Sequence, residues 1–360
     1  MTLRNIFDIA IIGGGLCGST TAVLLQKAGY ATAVIEKTAL GFFKQGESLS
    51  PQCKSFFHVL GVSFDSTEAI EYYGIDSTWG SNEANSSSFI FNAYGNGLAV
   101  DRDKLEKKLI GEAAKNGAVV RLSSEIKEIL YSNGSWEIKT ENKKEIGYLR
   151  AKLIVIATGR NSFQRLNRCS HAYHDSLMAL TMVIGHPSRS LIKNFLTISA
   201  ADNGWLYSNH LPGNRMILSF FTDSDMVPNA RPRLKHLFEQ AHPAHGGPDP
   251  GVPEGQKLFV SNARTSWTEV QSGSFWVRAG DSAYTIDPLS GQGILKNFEM
   301  THFLVEHIRS FLDNHQKIHQ DYFSYNHHHF MAYLSEQKKV YQLEQRWAKN
   351  PFWDRRSLSW

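Results

Sequence analysis

DIAIIGGGLCGSTTAVLLQKAGYATAVIE, residues Asp8–Glu36, decides the fold. Ile9, Ala10, Ile11 and Ile12 form a short apolar run suited to a parallel strand buried on both faces. Gly13, Gly15 and Gly18 follow in GxGxxG spacing. The first allows a tight turn, the second lets the backbone approach a pyrophosphate, and the third lets the helix pack on the strand. The free N–H groups and dipole of that helix favour negative charge at its N-terminus. Helical periodicity over Ser19–Ala28 and a second apolar strand over Ala31–Ile35 complete a β-α-β unit that ends on Glu36. A carboxylate about twenty residues beyond the glycines can accept from ribose hydroxyls. The unit predicts dinucleotide binding, with Glu36 and its neighbour Lys37 among the cofactor-side candidates.

The rest of the composition narrows the class. The chain has 360 residues, enough for two structural domains or one with a large insertion. A formal charge of +4 with no Lys/Arg run argues against nucleic acid as partner. The chain enters a strand within a few residues of Met1, which leaves no room for a signal peptide, and no apolar run reaches the length of a membrane span. A soluble cytoplasmic protein is expected. Cys17, Cys53 and Cys169 are odd in number and far apart, which gives neither a disulfide framework nor a zinc spacing. Cys17 reads as a small residue that fits the glycine turn.

Downstream of Glu36, Gly46-Glu47-Ser48 sit where a loop could turn back over a cofactor, and Ser50 before Pro51 is placed to cap a helix from Cys53 to Leu60 that stops at Gly61. Residues 62–100 read as strands and loops, with a polar tract at Ser81–Ser88 as a candidate mobile segment. Asp101–Gly117 is a helix, capped by Asp101, with Leu105, Leu109 and Ala113 on one face. Strands follow at Val119–Leu122 and Glu125–Tyr131, with Asn133-Gly134 turning into Trp136–Thr140. Ala151–Gly159 is a buried strand running into a small-residue turn, and belongs beside the first strand. Strands at Met178–Ile184, Phe195–Ala200, Trp205–Leu211, Met216–Thr222 and Leu258–Arg264 indicate a sheet-rich unit interrupted by a helix near Arg233–Ala241 and a Pro/Gly-rich loop. Ser274–Ala279 returns to a strand that ends at Gly280-Asp281, and Pro288, Gly291 and Gly293 lead into a helix over Ile294–Leu312, with a helical remainder to Trp360. The expected class is α/β (two-domain α+β). Residues 1–61, 101–169 and 268–312 make a Rossmann-like domain, 62–100 and 170–267 an inserted, mainly antiparallel substrate domain, and 313–360 a helical C-terminus. Residues 82–97 and 242–255 are the segments that could form a lid.

Three separated pieces, GGGLCG at 13–18, IVIATGRNS at 154–162 and AGDSAYTIDPLSGQGI at 279–294, together resemble the FAD-binding fold of para-hydroxybenzoate hydroxylase-type flavoproteins, which include flavin-dependent halogenases. The resemblance implies that Asp281 binds the ribityl chain of FAD and that Pro288, Gly291 and Gly293 lay a helix N-terminus against the flavin ring, where reduced flavin carries negative charge. It also places Arg102 near the FAD phosphates, Gly159 at the second cofactor turn, and Glu47 and Ser48 in a cofactor-side loop. Thr158-Gly159 replaces the family's usual Asp-Gly, and no second glycine fingerprint exists. NAD(P)H therefore binds transiently in the cleft, or a separate flavin reductase supplies the electrons.

GESLSP at 46–51 and GWLYSNHLP at 204–212 resemble the halogenase-like branch, but Tyr207 stands where that branch has a second Trp, and Asn209-His210 replace Ile-Pro. No lysine occurs from Ser55 to Asp103, the region where a halogenase carries its functional lysine. With STWGS at 77–81, the pattern is most similar to the flavoproteins that mature tryptophylquinone cofactors in amine and amino-acid oxidases. The resemblance implies an FAD- and O2-dependent monooxygenase that hydroxylates an aromatic group, with a tryptophan side chain of a precursor protein as expected substrate. The flavin carries the difficult chemistry, and the protein supplies orientation, a dry pocket and a proton source.

Trp205, Tyr207, Asn209 and His210 are the candidate catalytic residues on one strand, where 205, 207 and 209 share a face and His210 points the other way. His210 is an acid/base candidate by its ordinary pKa and a structural histidine by its place near a strand end. Trp79, Trp205 and Tyr207 could equally be core. His315 and His319 share a helix face but lack a third ligand at spacing, and His327-His328-His329 do not share one, so no metal site is expected. The alternatives are a halogenase, a flavoprotein reductase, or an FAD-holding chaperone without oxygenation.

Overall fold

The computed structural model describes residues 6–41, 45–143, 145–160, 163, 170–185, 194–227, 257–314 and 319–357. Around the opening motif lies an eight-stranded sheet in which Ile6–Ile12 is central, flanked in parallel by Thr32–Ile35 and Glu145–Ile156. The register pairs Ile12 with Ile35 on one side and with Ile156 on the other. Val119–Arg121 and Trp276–Arg278 extend the parallel order outward. Strand period two sorts the apolar run into two cores. Ile9 and Ile11 point into a cluster shared with the helices Leu16–Lys27, Arg102–Lys115 and Gly293–Asn314. Ala10 and Ile12 point the other way, onto Ile126, Ile138 and Leu149 of the antiparallel strands Glu125–Ser132, Ser135–Asn142 and Glu145–Ile156. The hairpin between the first two turns on Asn133 and Gly134, both at positive φ.

A second, seven-stranded sheet runs in the order Phe259–Asn262, Leu177–Gly185, Arg215–Asp223, Gly204–Leu211, Leu196–Ala201, Gly74–Thr78 and Asn85–Ser88. It is antiparallel except where Leu196–Ala201 lies parallel to Gly74–Thr78. The helices His319–Gln342 and Pro351–Ser357 cover one face, where Trp205, Phe221, Tyr341, Phe352 and Trp353 share a core. Trp353 anchors this cover by donating its indole N–H to Ala201 O across 2.8 Å. Its ring is almost wholly buried. A buried tryptophan removes roughly 200 Å² from water, worth about 5 kcal/mol before the entropy of ordering. Arg356, buried in the same helix, pairs with Asp223 at 2.8 Å. No helix among the described residues is long and apolar enough to cross a membrane.

Several local expectations change. The first helix starts at Leu16, three residues earlier than its apolar period indicates, with Gly15 as N-cap. Asp101 sits at the N-cap of Arg102–Lys115, yet its carboxylate makes no cap bond and accepts from Arg215 Nη2 at 3.1 Å. An ion pair to the second sheet outcompetes a local backbone donor there. Ser50 likewise does not cap Cys53–Leu60, because Pro51 and Gln52 make a separate turn first and Gln52 takes the N-cap position. Within the polar tract Ser81–Ser88, Asn85–Ser88 is an exposed edge strand paired with Gly74–Thr78. The helix expected at Arg233–Ala241 and the loop 242–255 lie outside the described residues, as do Cys169 and His315.

Candidate active site

The glycine turn is held by sterics on both sides. A Cβ on Gly13, whose φ is +106°, would lie 2.3 Å from Ala157 O, and one on Gly18 would lie 1.9 Å from Gly13 O. Only glycine lets the helix start that close to the strand. Gly15 differs, since its nearest neighbour would be Glu106 Oε1 at 3.9 Å, leaving room beside the backbone. Glu36 closes the turn: Gly14 N–H donates to Oε2 at 2.7 Å, while Thr38 donates its N–H and hydroxyl to Oε1. Lys37 faces outward, 74% exposed and 3.7 Å from Glu125. Cys17 is buried against Thr301, and burial pushes its thiol up to about 11, so it is unreactive at neutral pH.

A cavity of about 450 Å³ opens between the two sheets. Its floor is the late motif. Gly280–Ser282 makes a short 3₁₀ turn that presents Asp281, with 28% of its side chain still accessible. Lys296 Nζ donates to Asp281 Oδ1 at 2.7 Å and to Tyr284 O at 2.8 Å, and Arg160 Nε lies 3.5 Å from Oδ2. Burial would raise this carboxyl, but Lys296 and Arg160 outweigh it and hold it at about 2. Arg160 is itself fixed by donating to Arg264 O and Ile286 O. Pro288–Ser290 forms a second 3₁₀ turn, ending on Gly291 at φ +62°, and Gly293 begins the long helix. No atom stands within 4 Å of a Cβ built on Gly291 or Gly293, so the helix N-terminus faces open space. Arg102 also lines the cavity, with Nε 3.1 Å from Glu106 and Nη1 donating to Gly46 O at 3.4 Å. Gly159, in the turn beyond the end of the strand at Ile156, has φ +67° but does not line the cavity, whereas its neighbour Arg160 does.

The opposite wall joins two stretches far apart in sequence. Asn209 Nδ2 donates to Ser48 Oγ at 2.6 Å, Ser48 Oγ lies 2.5 Å from Tyr207 Oη, and Tyr207 donates to Glu47 Oε1 at 2.5 Å. Burial raises the Glu47 carboxyl despite the bond from Tyr207, and burial beside Glu47 raises the Tyr207 phenol well above 10. Glu47, Ser48 and Tyr207 line the cavity, and Asn209 stands behind Ser48. Gln45 extends the stitching by donating to Thr181 and accepting from Ser261. Glu47 and Ser48 are thus placed on the sheet wall, together with the strand residues. Trp205 lines the cavity too, stacked on Phe221 at 3.9 Å, with its N–H donated to Tyr341. His210 faces away, as strand alternation requires, and is not among the cavity residues. Trp79 donates to Val340 O and packs on Tyr341 and Trp353, away from the cavity.

Arg160 and Lys296 escape the motif reading. Lys296 leaves one signal: it is a cation among the buried positions Ile294, Phe298 and Met300 of an apolar helix, which demands a buried partner. Arg160 leaves only its place after the glycine in the turn that follows a central strand. Among the described residues no three His, Cys, Asp or Glu gather as metal ligands.

Comparison with known proteins identifies the family and the fold. A family model described as an FAD binding domain matches residues 7–312. LodB of Marinomonas mediterranea, assigned as an FAD-dependent oxidoreductase, is 22% identical over 361 residues, covering 97% of this chain and 96% of its own. The myxobacterial chondrochloren halogenase CndH superposes with a TM-score of 0.85 at 17% identity, over 99% of this chain and 87% of its own. The peptidyl tryptophan dihydroxylase QhpG, essential for tryptophylquinone cofactor biogenesis, superposes with a TM-score of 0.78 at 19% identity, over 97% of this chain and 78% of its own.

Proposed function

Since the chain belongs to the FAD binding domain family and is an FAD-dependent oxidoreductase of the halogenase and hydroxylase type, we propose that it hydroxylates an aromatic ring, a tryptophan side chain within a polypeptide. The residues present suit the cofactor. Open space beside Gly15 and beyond Gly291 and Gly293 leaves room for backbone contact with a ligand, and Asp281 offers an ionised carboxylate to hydroxyl donors. In this reading Gly13, Gly15, Gly18 and Glu36 hold the ADP half, Arg102 faces the phosphates, and Asp281, Pro288, Gly291 and Gly293 hold the flavin half. The domain division at 61/62, 100/101, 169/170 and 267/268 follows from the same assignment.

When bound, FAD supplies the two-electron activation of O2, fed by NAD(P)H or a flavin reductase. An aromatic C–H, O2, two electrons and two protons become C–OH and water. The chain's own residues then orient the ring and move protons. Trp205, Phe221 and Tyr207 give the cavity an aromatic wall. Tyr207 relays to Glu47 the proton that the attacked carbon releases. Asn209 orients Ser48, and Ser48 orients Tyr207.

The observation that carries this reading is the bonded set Glu47–Tyr207–Ser48–Asn209, set on the cavity wall across from the Pro288–Gly293 loop. The absence of lysine from Ser55 to Asp103 favours oxygenation over halogenation, and the similarity to QhpG, a peptidyl tryptophan dihydroxylase, supports a polypeptide substrate. The test is to incubate the FAD-loaded protein with a reductase, O2 and a tryptophan-bearing precursor polypeptide, with and without chloride or bromide. Addition of oxygen mass to tryptophan, independent of halide, is expected. A halide-dependent product, or no mass change while flavin turns over, would sink the proposal.

A further inference from the structure

Asp287, the residue before the Pro288–Ser290 turn, is fully buried and is gripped by one stripe of the C-terminal helix. Tyr333, Gln337 and Tyr341 recur every four residues and therefore share a face. Tyr341 Oη donates to Asp287 Oδ2 at 2.6 Å, and Gln337 Nε2 donates to the same oxygen at 3.0 Å. Tyr333 Oη accepts from Asp287 N–H at 2.8 Å and donates to Asp287 O at 3.2 Å. Oδ1 accepts from Leu289 N–H at 2.8 Å, capping the turn that leads to Gly291 and Gly293. Tyr341 has a second contact, since it accepts the indole N–H of Trp205 at 3.0 Å. One phenol therefore joins the loop before the long helix to the strand on the opposite wall, residues 54 and 136 positions away in the chain.

We infer that Trp205–Tyr341–Asp287 is a buried strut that couples the substrate wall to the flavin-ring loop, with Tyr341 as its positioning residue and Asp287 as the charge it presents to the bound flavin. The assignment of that loop to the flavin rests on the FAD reading, not on the reaction catalysed.

Three features distinguish this from an ordinary turn cap. The donors to Asp287 are all neutral: a backbone N–H, a phenol and an amide. They stabilise the carboxylate without cancelling its charge, and a charge in a low-dielectric interior is felt strongly nearby. Asp175 opposes ionisation from the strand side, while Arg356, whose guanidinium lies 5.1 Å from the centre of the Tyr341 ring, favours it. Asp175 is held in place by the backbone N–H groups of Leu177 and Thr265, and Arg356 by Asp223. Both Asp287 and Trp205 line the cavity, so the two ends of the strut reach the same space. Flavin reduction adds negative charge there, which an ionised Asp287 disfavours. Anything that moves Trp205 alters the bond that Tyr341 gives to Asp287, and so the cost of reduction.

The test is a mutant cycle on the FAD-loaded protein, read by the flavin midpoint potential and visible spectrum. Asp287→Asn and Tyr341→Phe are each expected to keep FAD and to move the potential to more positive values. Trp205→Phe is expected to shift the potential in the parent but not in the Tyr341→Phe background. An equal Trp205→Phe shift in both backgrounds, or a Tyr341→Phe protein with parental potential and spectrum, would overturn the strut. If Tyr341→Phe does not fold, Gln337→Met removes one donor from the same oxygen and must move the potential in the same direction; an unchanged potential overturns the proposal as well. All these readouts are independent of substrate, so a failed hydroxylation assay leaves the result standing.

Discussion

Tyr207 donates its phenol proton to Glu47 across 2.5 Å, closing a gap of 160 residues between the segment leading into the short strand Ser48–Leu49 and a strand of the seven-stranded sheet. Burial raises the proton affinity of both groups, and the Glu47 carboxylate raises that of the phenol further, while the bond from Tyr207 partly offsets the rise at Glu47.

Tyr207→Phe and Glu47→Gln are therefore expected to lower product formation by about 100-fold or more, the usual scale for a lost acid/base group. FAD occupancy, read from absorbance, should stay at the parental level. Glu47 must be ionised to accept a proton, so activity falls as pH drops through its raised pKa, above the ordinary glutamate range. That acid limb of the pH–rate profile should vanish in Glu47→Gln.

Gly15 has φ −74°, a conformation open to any residue, and open space where a side chain would go. Gly15→Val should fold and purify without FAD, measured as the absorbance ratio of flavin to protein. Gly18→Ala should instead lose the fold, since its Cβ would lie 1.9 Å from Gly13 O. A Gly15→Val protein carrying full FAD would contradict the cofactor assignment.

Asp281→Asn replaces the carboxylate beside the buried Lys296 with a neutral amide, so the cation loses its charged partner at that position. Removing one partner of a buried pair costs about 3–5 kcal/mol, and Arg160 on the same carboxylate adds to the imbalance. The midpoint of urea unfolding of the FAD-free protein should fall accordingly. Lys296→Met should cost less, because Arg160 stays beside Asp281 and the methionine fits an apolar helix face.

Asp287 is pushed up to about 6 by burial, with Asp175 adding to the effect, from an ordinary value of 3.8. A folded-state pKa above the unfolded one means a contribution to stability present below the unfolded value and lost as pH rises through the folded one. Between those values the wild-type protein gives up roughly 3 kcal/mol that an asparagine would not. From pH 7 towards pH 5, thermal unfolding of the wild-type protein should gain on Asp287→Asn. A constant difference between the two across that range would show that Asp287 does not titrate there.

The parts of this structure visible in the sequence are those written in local periodicity or in sterically forced glycine. Ile9–Ile12, Gly13 and Gly18 announce a strand, a turn and a helix because each neighbour constrains the next within a few residues. The alternation over Trp205, Tyr207 and Asn209 correctly put His210 on the other face. What stayed hidden depends on pairs with no local signature. Asp101 has the right position and chemistry for a cap, and only the approach of Arg215 from the other sheet takes its carboxylate away. Glu47 and Ser48 read as residues of a cofactor-side loop, and no local pattern shows that Tyr207 and Asn209 of the second sheet are their hydrogen-bond partners. The stripe Tyr333, Gln337 and Tyr341 was present as a spacing, yet nothing in the sequence says that a buried carboxylate at Asp287 receives it.

The stitching of residues 45–48 to strands at Thr181, Ser261, Tyr207 and Asn209 bears on how the pocket could be redesigned. Loop and sheet form one cassette. Transplanting the loop alone would orphan the polar groups of the strands, and rewriting the strands alone would orphan Glu47, at about 1–3 kcal/mol for each buried group left unmet. A change of substrate shape has to be drawn on both stretches at once, and libraries that vary them separately will recover mostly unstable proteins.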